Sequence, residues 1–182
     1  IEPEELLNLV KTPGVILVDA GDSSSYAAHH LKGAVYADLN TDLADVPENP
    51  ADGGRHPLPL PEKFGLVLSR MGITPGSHVV VYDNKGGANA AARFWWMLKA
   101  AGHEKVQVLN GGLAAAARAG FVLSDLLEMP EPAAPYNFAS WQLPIALIDD
   151  VEAASLTGDC TIIDVRENAR YNCETEPIDT VA

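Results

Sequence analysis

Short apolar runs alternate with longer amphipathic stretches along most of the chain. Each run is rich in Val, Ile or Leu and too short for a helix, which is typical of strands buried in a parallel sheet. The runs predict five strands, at residues 15–19, 34–38, 78–83, 106–109 and 161–165. The intervening stretches predict helices at residues 4–10, 24–30, 61–71, 88–101 and 112–119, and later at 150–156 and 167–171. Because strand and helix alternate, the pattern predicts an α/β fold with a mainly parallel sheet.

A proline-rich segment interrupts this alternation. Residues 129–144 contain four prolines, which fix φ and remove backbone donors, as is typical of an extended connector. We therefore predict a first domain at residues 1–128, a linker at 129–145 and the opening part of a second domain at 146–182. A unit as short as the last one usually buries too little surface to fold alone. We expect it either to pack on the first domain or to continue in further chain.

The two sides of the linker share one internal spacing. Glu5, Asp19 and Tyr26 are separated by fourteen and seven positions, in the order helix, strand end and turn. The same two separations occur again at Asp150, Asp164 and Tyr171. The second segment therefore repeats the plan of the first.

Composition narrows the possible functions. Apolar residues make up 47% of the chain, which permits a true core. Twelve Lys and Arg against twenty-five Asp and Glu give a net charge of −13, which disfavours nucleic acid and anionic membranes as partners. No apolar run is long enough to span a bilayer. The oligomeric state is left open.

The cysteines indicate a reducing compartment. Cys160 and Cys173 are the only two and have no framework spacing, which argues against a disulfide scaffold. We expect a cytoplasmic protein, with a periplasmic or organellar location left open because the chain begins at Ile1. Cys160, at the entrance of a predicted strand, is expected to be a small buried hydrophobe, and Cys173 to lie unreactive in a loop.

Several stretches together resemble the tandem-rhodanese sulfurtransferases, the thiosulfate and 3-mercaptopyruvate sulfurtransferase family. They occur in the family's order and cover most of the chain: VILVDA at 15–20, HLKGAVYADLN at 30–40, RHPLPLPEKF at 55–64, GITPGSHVVVYD at 72–83, ARFWW at 92–96, AGH at 101–103, VLNGGL at 108–113 and IDVRENARYNCETEPID at 163–179. The resemblance implies two rhodanese-like domains, each a five-stranded parallel sheet flanked by helices, with the active site between them.

The resemblance also implies a chemistry. A cysteine of the second domain takes a sulfane sulfur from a small anionic donor, thiosulfate or 3-mercaptopyruvate, and passes it as a persulfide to a thiol or cyanide. That cysteine would lie beyond Ala182, so we expect the present chain to lack the catalytic nucleophile and to be inactive alone. No cofactor or metal is implied. A non-catalytic rhodanese-like module that binds a partner or a small anion is the alternative.

Four residues are expected at the substrate site by the same resemblance. Arg170 would bind the anionic donor through paired guanidinium N–H groups, and His56 would contact substrate from the first domain. Asp164 and Arg166 are supporting residues, expected to form a structural ion pair or a cap at the strand end, and Asp164 is the residue that could also orient Arg170. Three positions depart from the family pattern. Asn40 replaces an acid, Asn89 replaces an aromatic, and Asp179 replaces a second arginine, which tilts the expected donor toward thiosulfate.

The turn after the third predicted strand is a second candidate. Residues 83–89 lead from a strand into a helix, so their N–H groups could hold an anion. An active rhodanese domain would carry its cysteine where Asp83 stands, and a carboxylate cannot form a persulfide. We therefore expect the first domain to be catalytically silent and to supply one wall of the cleft.

The other conspicuous residues favour structural roles. His29 and His30 are adjacent, so on a helix their side chains diverge, while His78 and His103 are isolated. We predict no metal site. The run from Arg93 to Trp96 is expected to pack in the core and at the domain interface rather than against nucleic-acid bases, given the acidic charge balance.

Overall fold

Four parallel strands form the central sheet of the structure, a computed structural model that describes residues 1–50 and 53–177. The strands of the chain are β1 (Val15–Asp19), β2 (His30–Leu31), β3 (Val35–Tyr36), β4 (His78–Tyr82), β5 (Val106–Val108) and β6 (Leu123–Ser124). The central sheet has the order β3-β1-β4-β5, and β2 pairs with β6 in a separate antiparallel ribbon. The predicted α/β class with a mainly parallel sheet is confirmed, with four strands in this sheet rather than five.

Seven helices are present in the described residues. They are α1 (Pro3–Leu9), α2 (Ser23–Ala28), α3 (Pro61–Arg70), α4 (Ala90–Ala100), α5 (Gly112–Arg118), α6 (Ile148–Thr157) and α7 (Asn168–Tyr171). The prediction for α2 was too long, because His29 has extended backbone and His30 begins β2. None of the helices within this described part combines the length and apolarity needed to cross a bilayer.

The two faces of the sheet bury separate apolar layers. Alternate residues of a strand point to opposite faces, so Val79 and Val81 pack with Phe64 of α3 and Phe94 of α4. On the other face Val80 and Tyr82 pack with Leu6 of α1 and with Leu113 and Ala116 of α5. A strand covered on both faces needs an apolar residue at every position, which explains the continuous Val run of β4.

The proline-rich segment contributes to the core of the first unit. Its aromatic residues Tyr136, Phe138 and Trp141 pack with Phe64, and Tyr136 is buried. Gly65 permits this approach, since a Cβ there would collide with the carbonyl oxygen of Tyr136. The compact unit accordingly extends over Ile1–Leu143, and a second unit begins at Pro144. No helix or strand forms between residues 129 and 144, as the prolines predict.

The second unit buries little. Neither α6 nor α7 has a buried residue, and the predicted strand at 161–165 is wrong, since this segment forms no strand. A parallel strand requires a neighbour to accept and donate hydrogen bonds, and residues 144–177 contain none. Cys160 is exposed for the same reason, so its expected burial is also wrong.

Candidate functional site

A cavity opens at the carboxyl ends of β1 and β4. After β1 the chain adds β3 on one side of the sheet, and β4 then lies on the other side. Ligands of open parallel sheets bind outside the strand ends at such a switch in direction. The cavity has a volume of about 220 Å³, and its lining includes Asp22, Tyr36, Asp38, Asn40, Asp83, Asn84 and Lys85.

The Asp83 carboxylate organises the loop between β4 and α4. Its Oδ1 accepts the N–H groups of Lys85 at 2.9 Å and Gly87 at 2.7 Å. Its Oδ2 accepts those of Asn89 at 3.1 Å and Ala91 at 3.2 Å. The residue is only 1% exposed. The sequence predicted that these N–H groups could hold an anion, and the anion they hold is the side chain of the loop itself.

The backbone at the start of α5 also lies close to this loop and holds it in place. The carbonyl oxygen of Asp83 accepts the N–H of Leu113 at 3.0 Å, at the start of α5. Gly112 has a φ of +58°, and a Cβ there would collide with that carbonyl oxygen. Gly112, the first residue of α5, is therefore required by packing against the site loop.

The cavity carries negative charge. Hydrogen bonds from the Ser24 hydroxyl, the Ser25 N–H and the Asn84 amide lower the pKa of Asp22 to about 2. Burial tends to raise the pKa of Asp38, but hydrogen bonds from the N–H groups of Thr41 and Asn40 and from the Tyr36 and Thr41 hydroxyls together give a net downward shift. Both carboxylates are thus ionised at neutral pH. These two carboxylates disfavour an anionic donor here, whereas Lys85 is a cation of the same lining.

His56 lies beside this cavity through its contact with Asn40. The ring Nε2 is 3.0 Å from the Asn40 carboxamide Oδ1. Burial lowers the pKa of His56, and the positive charges of Arg93 and Arg55 lower it further. The imidazole is therefore neutral at physiological pH. The structure brings together His56 and Asn40, two positions that the sequence singled out separately.

In the second unit Arg170 forms a bidentate ion pair with Glu176. Arg170 Nη2 lies 2.8 Å from Oε1 and 2.9 Å from Oε2, and Nε donates to Oε2 at 3.3 Å. Both side chains are largely buried. The guanidinium predicted to bind the donor is thus held by a carboxylate six residues further along α7 and the loop that follows it.

Asp164 and Arg166 form an exposed ion pair in the same unit. Arg166 Nη2 lies 2.6 Å from Asp164 Oδ2, and the Arg166 N–H donates to Oδ1. Cys173 is exposed and has a φ of +59°, in the left-handed region. Asp179, the third departure from the family pattern, lies outside the described residues.

Two features of the site were not predicted. The acceptance of four N–H groups by the Asp83 carboxylate depends on the path of the loop, and residue spacing does not predict that path. Arg93 was assigned to packing, yet its Nε donates to the carbonyl oxygen of Leu43 and its Nη2 to those of His56 and Pro57. An arginine inside an otherwise apolar helical stretch was the available signal.

Comparison with known proteins identifies the family of this chain. Residues 2–119 match the rhodanese-like domain. The chain belongs to the rhodanese family. The rhodanese structure of SseA from Escherichia coli, described as a 3-mercaptopyruvate sulfotransferase, superposes with a TM-score of 0.81 at 29% identity, over 98% of this chain and 70% of that one. A 3-mercaptopyruvate sulfurtransferase from Leishmania major gives 0.79 at 27% identity, over 94% and 48%.

Curated rhodanese relatives show the same similarity in sequence. The 3-mercaptopyruvate sulfurtransferase of Escherichia coli K12 is 35% identical, over 87% of this chain and 54% of its own length. A probable 3-mercaptopyruvate sulfurtransferase of Pseudomonas aeruginosa is also 35% identical, over 98% and 65%. The thiosulfate sulfurtransferase of Azotobacter vinelandii is 33% identical, over 96% and 62%. The chain therefore spans about half to two thirds of the length of these relatives.

Proposed function

We propose that the protein to which this chain belongs is a sulfurtransferase that takes a sulfur atom from thiosulfate or 3-mercaptopyruvate. Membership of the rhodanese family supports this proposal, as do relatives of both names that align with most of the chain. The acceptor would be a thiol or cyanide. No cofactor or metal takes part in the proposed reaction.

The proposed reaction has two displacement steps. A cysteine thiolate of the second domain, beyond Ala182, attacks the sulfane sulfur of thiosulfate or the thiol sulfur of 3-mercaptopyruvate. With thiosulfate the S–S bond breaks, sulfite leaves with the bonding electrons, and a cysteine persulfide remains. With 3-mercaptopyruvate the C–S bond breaks, and the carbon keeps the electron pair as an enolate that is protonated to pyruvate. The acceptor then attacks the outer sulfur and releases the cysteine thiolate.

One observation carries the assignment of roles between the units. The Asp83 carboxylate accepts the N–H groups of Lys85, Gly87, Asn89 and Ala91, so the loop at the strand end has a carboxylate in place of a sulfur nucleophile and these four donors are taken. The negative charge of Asp22 and Asp38 also disfavours an anionic substrate. In this proposal the first unit is silent and lines the substrate cleft with His56.

Arg170 is the proposed donor-binding residue. A guanidinium suits a carboxylate or a thiosulfate oxyanion because two parallel N–H groups can bind two oxygens. In the structure the Glu176 carboxylate occupies Nε and Nη2 of this guanidinium. In this proposal the donor takes the place of that carboxylate on the two N–H groups.

The experiment uses the full-length gene product and measures steady-state sulfur transfer from each donor to cyanide. Replacing Arg170 by Met is expected to raise KM for the donor at least tenfold, equivalent to about 1.4 kcal/mol of binding. Arg118→Met, which removes an exposed arginine of α5, is the matched control and should leave KM unchanged. An Arg170→Met protein with the parent's KM would refute the role of Arg170.

A second experiment separates the enzyme from the alternative, a non-catalytic rhodanese-like module, which Asp83 favours for the first unit. A full-length protein that transfers sulfur from neither donor supports the module. Turnover that disappears when a cysteine beyond Ala182 is replaced by Ser supports the enzyme. Turnover by residues 1–182 alone that disappears in Cys173→Ser would contradict the placement of the nucleophile.

A further inference from the structure

The guanidinium of Arg93 connects two separate segments of the first unit by donating hydrogen bonds to their backbone carbonyl groups. It lies in the first turn of α4, where Nε donates to the Leu43 carbonyl oxygen at 2.9 Å. Nη2 donates to the carbonyl oxygens of His56 at 2.9 Å and Pro57 at 3.2 Å. Within residues 1–50 and 53–177, the partners of this guanidinium are these three carbonyl groups and no carboxylate.

A packing role alone does not explain a cation at this position. Burial lowers the pKa of Arg93, which shows that the charge is held at a cost. An apolar side chain of similar length would fill the same space without that cost. What an apolar side chain cannot do is bind the segment that ends at Leu43 and the segment that starts at His56 at once. The planar fork of Arg suits this task better than the single ammonium of Lys.

The segment that Arg93 holds is the one that presents His56. Because the Asn40 carboxamide oxygen only accepts hydrogen bonds, the His56 Nε2 donates in their 3.0 Å contact. The Asn40 N–H is itself fixed by the Asp38 carboxylate at 2.8 Å. Asn40 and Asp38 both line the cavity at the strand ends. The imidazole is thus fixed at two points, its backbone by Arg93 and its ring by Asn40.

We propose that Arg93 is a positioning residue, which holds the His56 backbone so that the imidazole meets Asn40 at the edge of the cavity. The contribution of this position to sulfur transfer rests on the function proposed above for His56. The positioning itself does not, because it is a property of the first unit alone.

The test is NMR of the 182-residue chain with labelled histidine and asparagine. The nuclear Overhauser effect between the His56 ring and the Asn40 carboxamide reports their contact, and a titration gives the His56 pKa. We expect Arg93→Lys and Arg93→Met to lose the Overhauser effect, because Met has no N–H donor and the single ammonium of Lys lacks the planar fork that reaches both segments. Arg93→Met should also raise the His56 pKa toward its ordinary value of 6.5, because it removes one of the two cations that act on the ring. Arg118→Met is the control and should change neither.

The outcomes separate this inference from the proposed enzyme function. An Overhauser effect that persists in both Arg93→Lys and Arg93→Met overturns the positioning role. An effect that persists in Arg93→Lys alone also overturns it, because it shows that a positive charge at this position is enough. If Arg93→Met does not fold, Arg93→Lys decides. Loss of the effect, with sulfur transfer by full-length Arg93→Lys at the parent's rate, upholds the positioning role and counts against the role of His56 in substrate binding.

Discussion

Residues 5–26 and 150–171 follow one sequence plan, yet they differ in what surrounds them. In both, an aspartate ends the apolar run and accepts the N–H two residues further along, Gly21 for Asp19 and Arg166 for Asp164. Asp19 is 2% exposed and ends a strand within the sheet. Asp164 pairs with Arg166 at the surface, and Ile163 beside it is 77% exposed. The local turn is shared, whereas burial is not.

The difference teaches which features are local. A turn in which an aspartate accepts a nearby N–H needs only the residues that form it. A buried strand needs neighbours, and β1 has β3 on one side and β4 on the other. The two similar segments therefore form the same turn, but only the first forms a strand within a sheet. The aromatic residue of the plan follows the same rule, with Tyr26 buried and Tyr171 exposed.

The largest expected effect comes from a buried carboxylate of the first unit. Asp83→Ala leaves four loop N–H groups without their acceptor, and we expect the free energy of unfolding to fall by about 3 kcal/mol or more. Asp164→Ala, which removes an exposed carboxylate of the second unit, should leave the denaturation midpoint unchanged. Urea denaturation of both variants measures this, and equal midpoints would refute the organising role of Asp83.

A smaller effect is expected from matched apolar positions of the two plans. Val18 and Ile163 each precede the aspartate, but Val18 is fully buried. Val18→Ala should cost about 2 kcal/mol through lost burial and the cavity it leaves. Ile163→Ala should cost less than about 0.5 kcal/mol, as for other exposed sites. Comparable costs would mean that residues 161–165 pack as a strand in solution.

The pH dependence of stability should distinguish Asp19 from Asp164, because the pKa of Asp19 is raised and that of Asp164 is lowered. Burial raises the pKa of Asp19 above its ordinary value of 3.8, so the folded state holds that proton more tightly than the unfolded state. The stability that this group contributes is complete below pH 3.8 and is lost as pH rises through the folded pKa. Asp19→Asn should therefore gain stability relative to the parent as pH rises from about 4 to 7. Thermal melts of both proteins across this range test the sign of this change. A melting temperature of Asp19→Asn that falls relative to the parent as pH rises would contradict it.

The smallest expected effect concerns the helix after each turn. Asp22 caps α2 by accepting the Ser25 N–H, while Glu167 before α7 makes no such side-chain bond. Asp22→Ala should lower the melting temperature at neutral pH, and Glu167→Ala should not. Because the pKa of Asp22 is lowered to about 2, the difference should fade as pH drops from 3.8 toward 2. A difference that is constant with pH would argue against the capping carboxylate.

Local patterns predicted much of the first unit. The Val-rich runs located β1 with its observed ends and β4 to within one residue, because a strand covered on both faces leaves a continuous apolar signal. The short ribbon of β2 and β6 was missed, since its two strands are far apart in sequence. The packing of Tyr136 and Trp141 on the core was missed for the same reason.

The candidate site was predicted in its position more than in its contacts. The turn after β4, His56 and Asn40 were all identified from the residues and the family resemblance. The self-occupied Asp83 loop, the His56–Asn40 contact and the three carbonyl groups on Arg93 depend on how distant segments meet. Spacing along the chain carries no information about such contacts.

The central claim is that sulfur is carried by a cysteine outside residues 1–182 and that the first unit is silent. Intact mass spectrometry tests it most directly, on this chain and on the full-length protein after incubation with thiosulfate or 3-mercaptopyruvate. We predict no change in mass for the 182-residue chain, and a gain of one sulfur atom for the full-length protein. A gain of one sulfur atom on Cys160 or Cys173 of the short chain, released by cyanide, would contradict the claim.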